Sequence, residues 1–187
     1  MIALVLGGAR SGKSRYAATV AKALSASPVI LATSRTFDPD HAARIARHQA
    51  ERGPEWTTIE EEKAIARTDL AGRVVVVDCA TLWLTNFFLD SLDASGAARS
   101  GAEALEAAQA ELGRLADIRA TWIIVSNELG LAPHAPTEMG RKFVDLQGLL
   151  NQSIAARAIA VTLMVAGIPL AVKGGEMVGA LRNEATR

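Results

Sequence analysis

Near the start of the chain lies a complete match to the pattern G-x-x-x-x-G-K-[ST], namely Gly7-Gly8-Ala9-Arg10-Ser11-Gly12-Lys13-Ser14. An all-apolar run, residues 2–6, precedes it and is typical of a strand buried on both faces. Residues with helix-forming character follow it as far as Leu24. A strand, a glycine-rich turn and a helix in this order form a loop that can hold a triphosphate. This unit predicts an α/β fold.

The chemistry of the glycine-rich loop follows from its residue types. Glycines let the backbone pass close to a triphosphate without Cβ clashes, so that amide N–H groups point at the phosphate oxygens. The following helix adds the positive end of its dipole. Lys13 is expected to reach the β- and γ-phosphates and Ser14 to bind Mg²⁺. The alternative is a plain glycine-rich turn, but the Lys-Ser pair and the flanking strand and helix favour nucleotide binding.

Asp78 stands at the end of the most hydrophobic predicted strand, which contains four consecutive valines. In open α/β sheets, ligands gather at the carboxyl ends of the strands. An Asp at such an end commonly helps to hold Mg²⁺ in nucleotide-binding proteins with this loop. The competing interpretation is a cap for the helix that begins after it. Position favours the metal-linked role.

Apolar runs alternate with helical periodicity along the rest of the chain. The predicted strands cover 2–6, 29–32, 73–77, 122–126, 160–165 and 170–172, and the predicted helices cover 14–24, 38–52, 82–92, 102–116 and 140–158. This alternation predicts a mostly parallel sheet with helices on both faces. We expect one domain over residues 1–173 and a polar, peripheral tail over residues 174–187.

Composition excludes several classes of function. The 20 Lys and Arg residues balance the 20 Asp and Glu residues, which gives no general attraction to nucleic acid or acidic membranes. Aromatic residues make up 4%, too few for a platform that stacks single-stranded bases. The apolar start is too short for a signal peptide or a membrane span. The single cysteine, Cys79, permits no intrachain disulfide, is expected to pack in or near the core, and fits a cytoplasmic protein.

The predicted helix over residues 38–52 carries a histidine between two arginines. Arg44, His48 and Arg52 are spaced so that they share one helix face. Flanking cations disfavour the imidazolium form, and a neutral imidazole is a nucleophile. The flanking guanidinium groups would hold a phosphate in place for its attack. The alternative is an exposed histidine on a solvated basic helix face, and the pattern taken alone favours that interpretation. His41 and His134 are expected at the surface.

Several motifs together make the chain resemble the bifunctional adenosylcobinamide kinase / adenosylcobinamide-phosphate guanylyltransferase family of cobalamin biosynthesis. They are the loop with Arg15 after it, Ala32-Thr33-Ser34, Ala43-Arg44-Ile45 through His48, Trp56 with Thr58 and Glu60, Thr85-Asn86, Ser126-Asn127-Glu128-Leu129-Gly130, Arg141 through Gly148, and Asn151-Gln152. They stand in the family's order over about residues 1–173. The loop alone is generic, whereas the loop together with Arg-Ile-x-x-His is specific.

The resemblance implies more than spacing does. Enzymes of this family phosphorylate the aminopropanol hydroxyl of adenosylcobinamide and then transfer GMP from GTP onto that phosphate through a histidine–GMP intermediate. The family's histidine falls on His48, which reverses the interpretation above. ATP or GTP serves as phosphate donor. The implied fold is a P-loop α/β sheet with one antiparallel strand, and the implied assembly is a homotrimer.

Site residues are also implied by the resemblance. Catalysis falls on His48 and Lys13, and metal binding falls on Ser14 and Asp78. The implied nucleotide contacts are Gly7, Gly8, Ala9, Arg10, Ser11, Gly12, Lys13, Ser14, Ala32, Thr33, Ser34, Gln49, Ala50, Glu51, Arg52, Glu60 and Asp78. Some relatives have a second histidine directly before the matching one, where this chain has Arg47.

Two alternatives stay open at this stage. One is a P-loop kinase for another small molecule that transfers no nucleotidyl group. The other is a nucleotide-gated regulatory protein. Such switches normally recognise guanine through Asn-Lys-x-Asp, and Asn127-Glu128-Leu129-Gly130 lacks both the Lys and the Asp.

Overall fold

A computed structural model describes residues 1–35, 53–91 and 101–186. The strands are β1 (Ile2–Gly7), β2 (Val29–Ala32), β3 (Thr57–Glu60), β4 (Val74–Asp78), β5 (Thr121–Asn127), β6 (Ala160–Val165) and β7 (Ile168–Lys173). The helices within these ranges are α1 (Lys13–Leu24), α2 (Ala80–Asp90), α3 (Gly101–Asp117), α4 (Glu138–Arg157) and α5 (Met177–Ala185), with a short 3₁₀ turn at Ile65–Arg67. The predicted helix over residues 38–52 lies outside the described residues.

The seven strands form one sheet in the order β3-β2-β4-β5-β1-β6-β7. Neighbouring strands are parallel except for β6 and β7, which pair antiparallel. The predicted fold class, a mostly parallel sheet with one antiparallel strand, is confirmed. Because β1 lies between β5 and β6, the loop that follows β1 opens at the carboxyl edge of the sheet, beside the end of β5.

Both faces of the sheet are buried, because successive strand side chains point to opposite faces. In β1, Ile2 and Leu4 join a cluster with residues of α2, α3 and α4, whereas Ala3 and Val5 join a second cluster with residues of α1 and α5. The valines of β4 divide in the same way. Two-sided burial explains why these strands are continuous apolar runs in the sequence.

The strand β3 was not among the predicted strands. It lies at the edge of the sheet and pairs with β2 alone, and only Ile59 of its four residues is partly buried. A strand with one neighbour and little burial needs no apolar run, so periodicity gave no signal for it.

The turn between β6 and β7 lies earlier in the chain than the predicted turn at residues 167–169. Its two turn residues, Ala166 and Gly167, have φ of 51° and 84°, as in the type I′ turns that suit two-residue hairpins. The residues predicted as part of the turn, Ile168 and Pro169, instead begin β7. Proline is tolerated there because β7 is an edge strand.

Residues 174–186 contain more structure than the peripheral tail predicted from the sequence. In α5, Met177 and Leu181 are buried in the cluster that includes α1, and Arg182 donates a hydrogen bond of 2.8 Å to the Ala23 carbonyl. The Glu176 carboxylate caps the helix by accepting from the Val178 and Gly179 amides. The helix was not predicted, because the segment is polar and only two of its side chains are buried. The division of the chain at residue 173 remains a prediction.

No helix in the described ranges is long and apolar enough to cross a lipid bilayer.

Candidate active site

The predicted phosphate loop joins the end of β1 to the start of α1. Gly12 caps α1 with φ of 95°, a left-handed conformation that favours glycine. The Ser11 carbonyl accepts from the Gly167 amide at 3.0 Å, so the β6–β7 turn braces the loop from one side. The loop therefore has the strand–turn–helix context that its motif requires.

Lys13 and Ser11 give the loop its internal polar groups. The Lys13 side chain is 8% exposed, and its Nζ donates to the Gly8 carbonyl at 2.5 Å across the loop. The Ser11 hydroxyl is buried and has no hydrogen-bond partner among the described residues. A buried donor without a partner calls for an explanation, and a bound phosphate oxygen is one that fits this loop.

Ser14 and Asp78 meet at the loop, as the sequence predicts. The Ser14 hydroxyl donates to Asp78 Oδ1 at 3.4 Å, across 64 residues of sequence. A hydroxyl and one carboxylate are hard oxygen ligands of the kind that bind Mg²⁺ together with substrate phosphates and waters. No group of three or more His, Cys, Asp or Glu side chains that could hold a metal by itself occurs in the described ranges. This donor set fits Mg²⁺ that arrives with a nucleotide.

Because Gly7 has no side chain, the backbone of Met164 and the side chain of Ser11 can approach it closely. Its φ is 153°, and an added Cβ would lie 2.6 Å from the Met164 carbonyl oxygen and from Ser11 Oγ. We expect Gly7→Ala to lower the free energy of unfolding by about 2 kcal/mol, because backbone strain adds to overpacking. Thermal unfolding should then fall by roughly 4–8 °C.

The matched control for this substitution is Gly8→Ala, because nothing lies within 4 Å of a Cβ added at Gly8. Its melting temperature should stay within about 2 °C of the wild-type value. Equal melting temperatures for the two variants would contradict the crowding at Gly7.

The end of β5 is attached to the loop and to the helices behind it. Asn127 is in register with Gly7, and the next amide, that of Glu128, donates to the Gly7 carbonyl at 3.1 Å. The Asn127 amide donates to the Thr81 hydroxyl at 3.0 Å, at the start of α2. The segment after β5 is thereby held beside the phosphate loop.

Behind this segment lies a buried polar network. The Ser126 hydroxyl donates to Asn151 Oδ1 at 2.6 Å, and Gln147 Nε2 donates to both side chains at 2.9 Å. Asn151 Nδ2 donates to the Asn127 carbonyl at 3.0 Å. These hydrogen bonds fix the end of β5 relative to α4, although Gln147 Oε1 has no partner among the described residues.

The end of β2 is joined to the residue that follows Asp78. The Thr33 hydroxyl donates to the Cys79 carbonyl at 2.8 Å and accepts from the Cys79 amide at 3.1 Å. Burial, and next the carboxylate of Asp78, raise the pKa of the Cys79 thiol to about 11. The thiol is therefore protonated near neutral pH and no nucleophile, in agreement with its expected packing role.

Residues 3–172 match the family described as cobinamide kinase / cobinamide phosphate guanyltransferase. The chain belongs to this family. The predicted resemblance is confirmed, and so are the predicted enzyme class and its place in cobalamin biosynthesis.

Curated relatives of the cobinamide kinase / guanyltransferase family match nearly the whole chain. The bifunctional adenosylcobalamin biosynthesis protein CobP of Pseudomonas aeruginosa is 43% identical over 176 residues, covering 91% of this chain and 96% of that protein. The bifunctional adenosylcobalamin biosynthesis protein CobU of Escherichia coli is 32% identical and covers 92% of this chain and 100% of that protein. A solved structure of the P4 protein from bacteriophage phi6 in complex with ADP is 14% identical, covers 90% of this chain and 52% of its own, and has a TM-score of 0.40.

The structure brings together some of the residues predicted for the cobinamide kinase / guanyltransferase site. The loop residues 7–14 and Asp78 are adjacent, and Ala32 is in register with Asp78 on one side and with Glu60 on the other. Thr33 and Ser34 continue from β2 at the same edge. His48, Gln49, Ala50, Glu51 and Arg52 lie outside the described residues. That these residues contact nucleotide remains a prediction.

Sequence reasoning gave no role to Asn86, Gln147 or Asn151, although all three stand in stretches that resemble the family. All three are buried amides that lie among buried apolar residues of their helices. A polar residue where the helical period expects an apolar one was the available signal. His134, predicted at the surface, is exposed.

Proposed function

We propose that this chain carries out both reactions of its family: it phosphorylates adenosylcobinamide with ATP or GTP, and then transfers GMP from GTP to give adenosylcobinamide-GDP. The observation that carries the proposal is the complete phosphate loop with the Ser14–Asp78 contact at its mouth, in a chain matched to the family over residues 3–172. Adenosylcobinamide and the two nucleotides are its substrates, and no nucleic acid is involved.

In the kinase step, the aminopropanol oxygen forms a bond to the γ-phosphorus and loses its proton to solvent or to a base. The bond to the β-phosphate oxygen breaks, and the nucleoside diphosphate leaves with the electron pair. Loop amides and the start of α1 face the phosphates, and Lys13 exchanges its bond with the Gly8 carbonyl for the γ-phosphate. The positive charge stabilises the transferring phosphoryl group more than the ground state.

Ser14 and Asp78 are the residues that would hold Mg²⁺. The ion supplies charge neutralisation at the phosphate oxygens. Asp78 also accepts from the Ser14 hydroxyl, so both oxygens are oriented toward the loop before the nucleotide arrives.

In the transfer step, a neutral His48 imidazole nitrogen attacks the α-phosphorus of GTP, and pyrophosphate leaves with the electron pair. A phosphate oxygen of adenosylcobinamide phosphate then displaces the imidazole and forms the pyrophosphate bond of adenosylcobinamide-GDP. Arg44 and Arg52, at four-residue spacing on either side, neutralise phosphate charge and disfavour imidazolium. The nucleotide contacts proposed beyond the phosphates are Ala32, Thr33, Ser34, Glu60 and the stretch from Gln49 to Arg52.

Incubation with GTP labelled at the α-phosphate tests the proposal against a kinase that transfers no nucleotidyl group. The bifunctional enzyme retains label on the denatured protein, and the label leaves when adenosylcobinamide phosphate is added before denaturation. A kinase alone retains none, as does a nucleotide-gated regulatory protein.

We further propose a cytoplasmic homotrimer. The edge strand β7 supports self-association, because all of its residues are exposed and three of them, Ile168, Leu170 and Val172, are large and apolar. A long exposed apolar edge is uncommon in a monomer. The lone buried cysteine supports a reducing compartment.

Sedimentation velocity at micromolar concentration is expected to give a species of three times 19.7 kDa. The double variant Ile168→Lys/Val172→Lys should shift the protein to smaller species, because it adds two charges to the apolar edge. The matched control is Leu131→Lys, at a leucine that is 81% exposed on the loop after β5. A wild-type protein that sediments only at 19.7 kDa refutes the assembly.

A further inference from the structure

Asn86 lies in the middle of α2 with a side chain that is 0% exposed. Its Nδ2 donates to two backbone carbonyls, that of Thr33 at 2.6 Å and that of Glu62 at 2.9 Å. The first carbonyl follows β2 and the second follows β3. One buried amide thus holds two strand ends that are far apart in the sequence.

The two strand ends are also connected to Asp78. The Thr33 hydroxyl is bonded to both backbone polar groups of Cys79, and the Glu61 amide donates to the Ala32 carbonyl at 3.1 Å. Asn86 therefore stands behind the ends of β2, β3 and β4 together. Outside the phosphate loop, the nucleotide contacts that we propose within the described residues lie at these strand ends. They are Ala32, Thr33, Ser34, Glu60 and Asp78.

Ion pairs form an outer layer over the same strand ends. Arg35 bonds to Glu62 and, at 2.9 Å, to Asp90 of α2, and Lys63 also pairs with Asp90. The hydrogen bond from Arg35, and then that from Lys63, lower the pKa of Asp90 to about 2. The carboxylates of these pairs are more than a third exposed, so each pair contributes little to stability. The buried amide is the stronger connection.

The backbone of the phosphate loop is held by contacts other than those of Asn86, and the Ser14–Asp78 contact joins the loop to β4. The backbone contacts run to β5 through the Gly7 carbonyl and to the β6–β7 turn through the Ser11 carbonyl. Backbone amides that hold phosphates cannot distinguish one nucleoside from another, because ATP and GTP share their triphosphate. The contacts that depend on the nucleoside must come from outside the phosphate loop. Among the described residues, those proposed at the ends of β2 and β3 are the ones that Asn86 connects.

We propose that Asn86 is a positioning residue for the nucleoside part of GTP. It orients the ends of β2 and β3 more than the backbone of the phosphate loop, which β5 and the β6–β7 turn hold. The inference rests on the proposed function in its placement of nucleotide contacts at Ala32, Thr33, Ser34 and Glu60. A purely structural amide would instead stabilise the whole domain and influence every ligand alike.

The test compares two ligands by calorimetry with the full chain and Mg²⁺: GTP, and inorganic tripolyphosphate, which reports on the phosphate loop and the Ser14–Asp78 pair without a nucleoside. The variants are Asn86→Leu, which keeps the branched shape of the side chain, and Asn86→Ala, which shortens it. Both remove the donor to the Thr33 and Glu62 carbonyls. The matched control is Gln109→Leu, which removes an amide donor to Ser153 Oγ between α3 and α4, away from the sheet edge.

Both Asn86 variants are expected to raise the Kd of GTP about tenfold, because they leave the carbonyls of Thr33 and Glu62 without this donor. The Kd of tripolyphosphate should change by less than about twofold, and Gln109→Leu should change neither value. An unchanged Kd of GTP, or parallel rises for both ligands, overturns the positioning role, as does a wild-type protein that binds the two ligands equally. Guanylyl transfer is measured in a separate assay. A wild-type protein that binds GTP but transfers no GMP refutes the proposed function and leaves the positioning role of Asn86 in place.

Discussion

Replacing His48 with Ala is expected to abolish covalent labelling by α-labelled GTP and, with it, guanylyl transfer. The P–N bond of a histidine adduct is labile in acid and stable in base, unlike a phosphate ester of serine. Wild-type label should therefore be lost after acid treatment and kept after base treatment. In the proposed intermediate, the imidazole nitrogen forms the bond to the α-phosphorus. The Cys79 thiol cannot take over this role, because it is buried and protonated.

The kinase step should fall much less in His48→Ala, since Lys13, Ser14 and Asp78 remain in place. The matched control is His134→Ala, at an exposed histidine in the loop between β5 and α4, and it should label like the wild type. An acid-labile adduct that persists in His48→Ala would contradict the assignment and direct attention to His41.

Replacing Lys13 with Ala is expected to lower kcat of the kinase step by at least about a thousandfold. The buried ammonium is the point charge of the phosphate loop, and the charge that develops on the γ-phosphoryl group in transfer would lose its main partner. The measurement is phosphorylation of adenosylcobinamide at saturating ATP and Mg²⁺, with the melting temperature recorded to exclude unfolding.

Lys22→Ala is the control for this substitution, because Lys22 stands on the same helix but pairs with Glu55 at the surface. It should keep kinase activity within about threefold of the wild type, as expected for loss of a surface ion pair. Kinase activity near the wild-type level in Lys13→Ala would refute the assignment of the phosphate loop.

The central strands could be predicted from the sequence because two-sided burial leaves a direct signature. The four valines before Asp78 and the run before Gly7 are apolar on every residue, as strands covered by helices on both faces must be. The edge strand β3 left no such signature, since it is polar and mostly exposed. The helix α5 was missed for a similar reason, because only Met177 and Leu181 are buried.

The candidate site was predictable where a motif fixes the backbone, and unpredictable where tertiary contacts do. The loop motif located Lys13 and Ser14, and the strand end located Asp78, and the Ser14–Asp78 contact joins them. The role of Asn86 depends on two carbonyls that are 53 and 24 residues away in the sequence. Side-chain bonds across such separations follow from strand order, which local patterns do not specify.

The most direct test of bifunctionality uses GTP as the only nucleotide, with adenosylcobinamide and Mg²⁺. Parallel reactions contain GTP labelled at the γ-phosphate or at the α-phosphate, and the corrinoid products are separated by mass. We expect adenosylcobinamide phosphate to appear first, carrying only the γ-label, and adenosylcobinamide-GDP to follow, carrying the label in both reactions. A γ-labelled phosphate that accumulates without any α-labelled corrinoid would contradict the account.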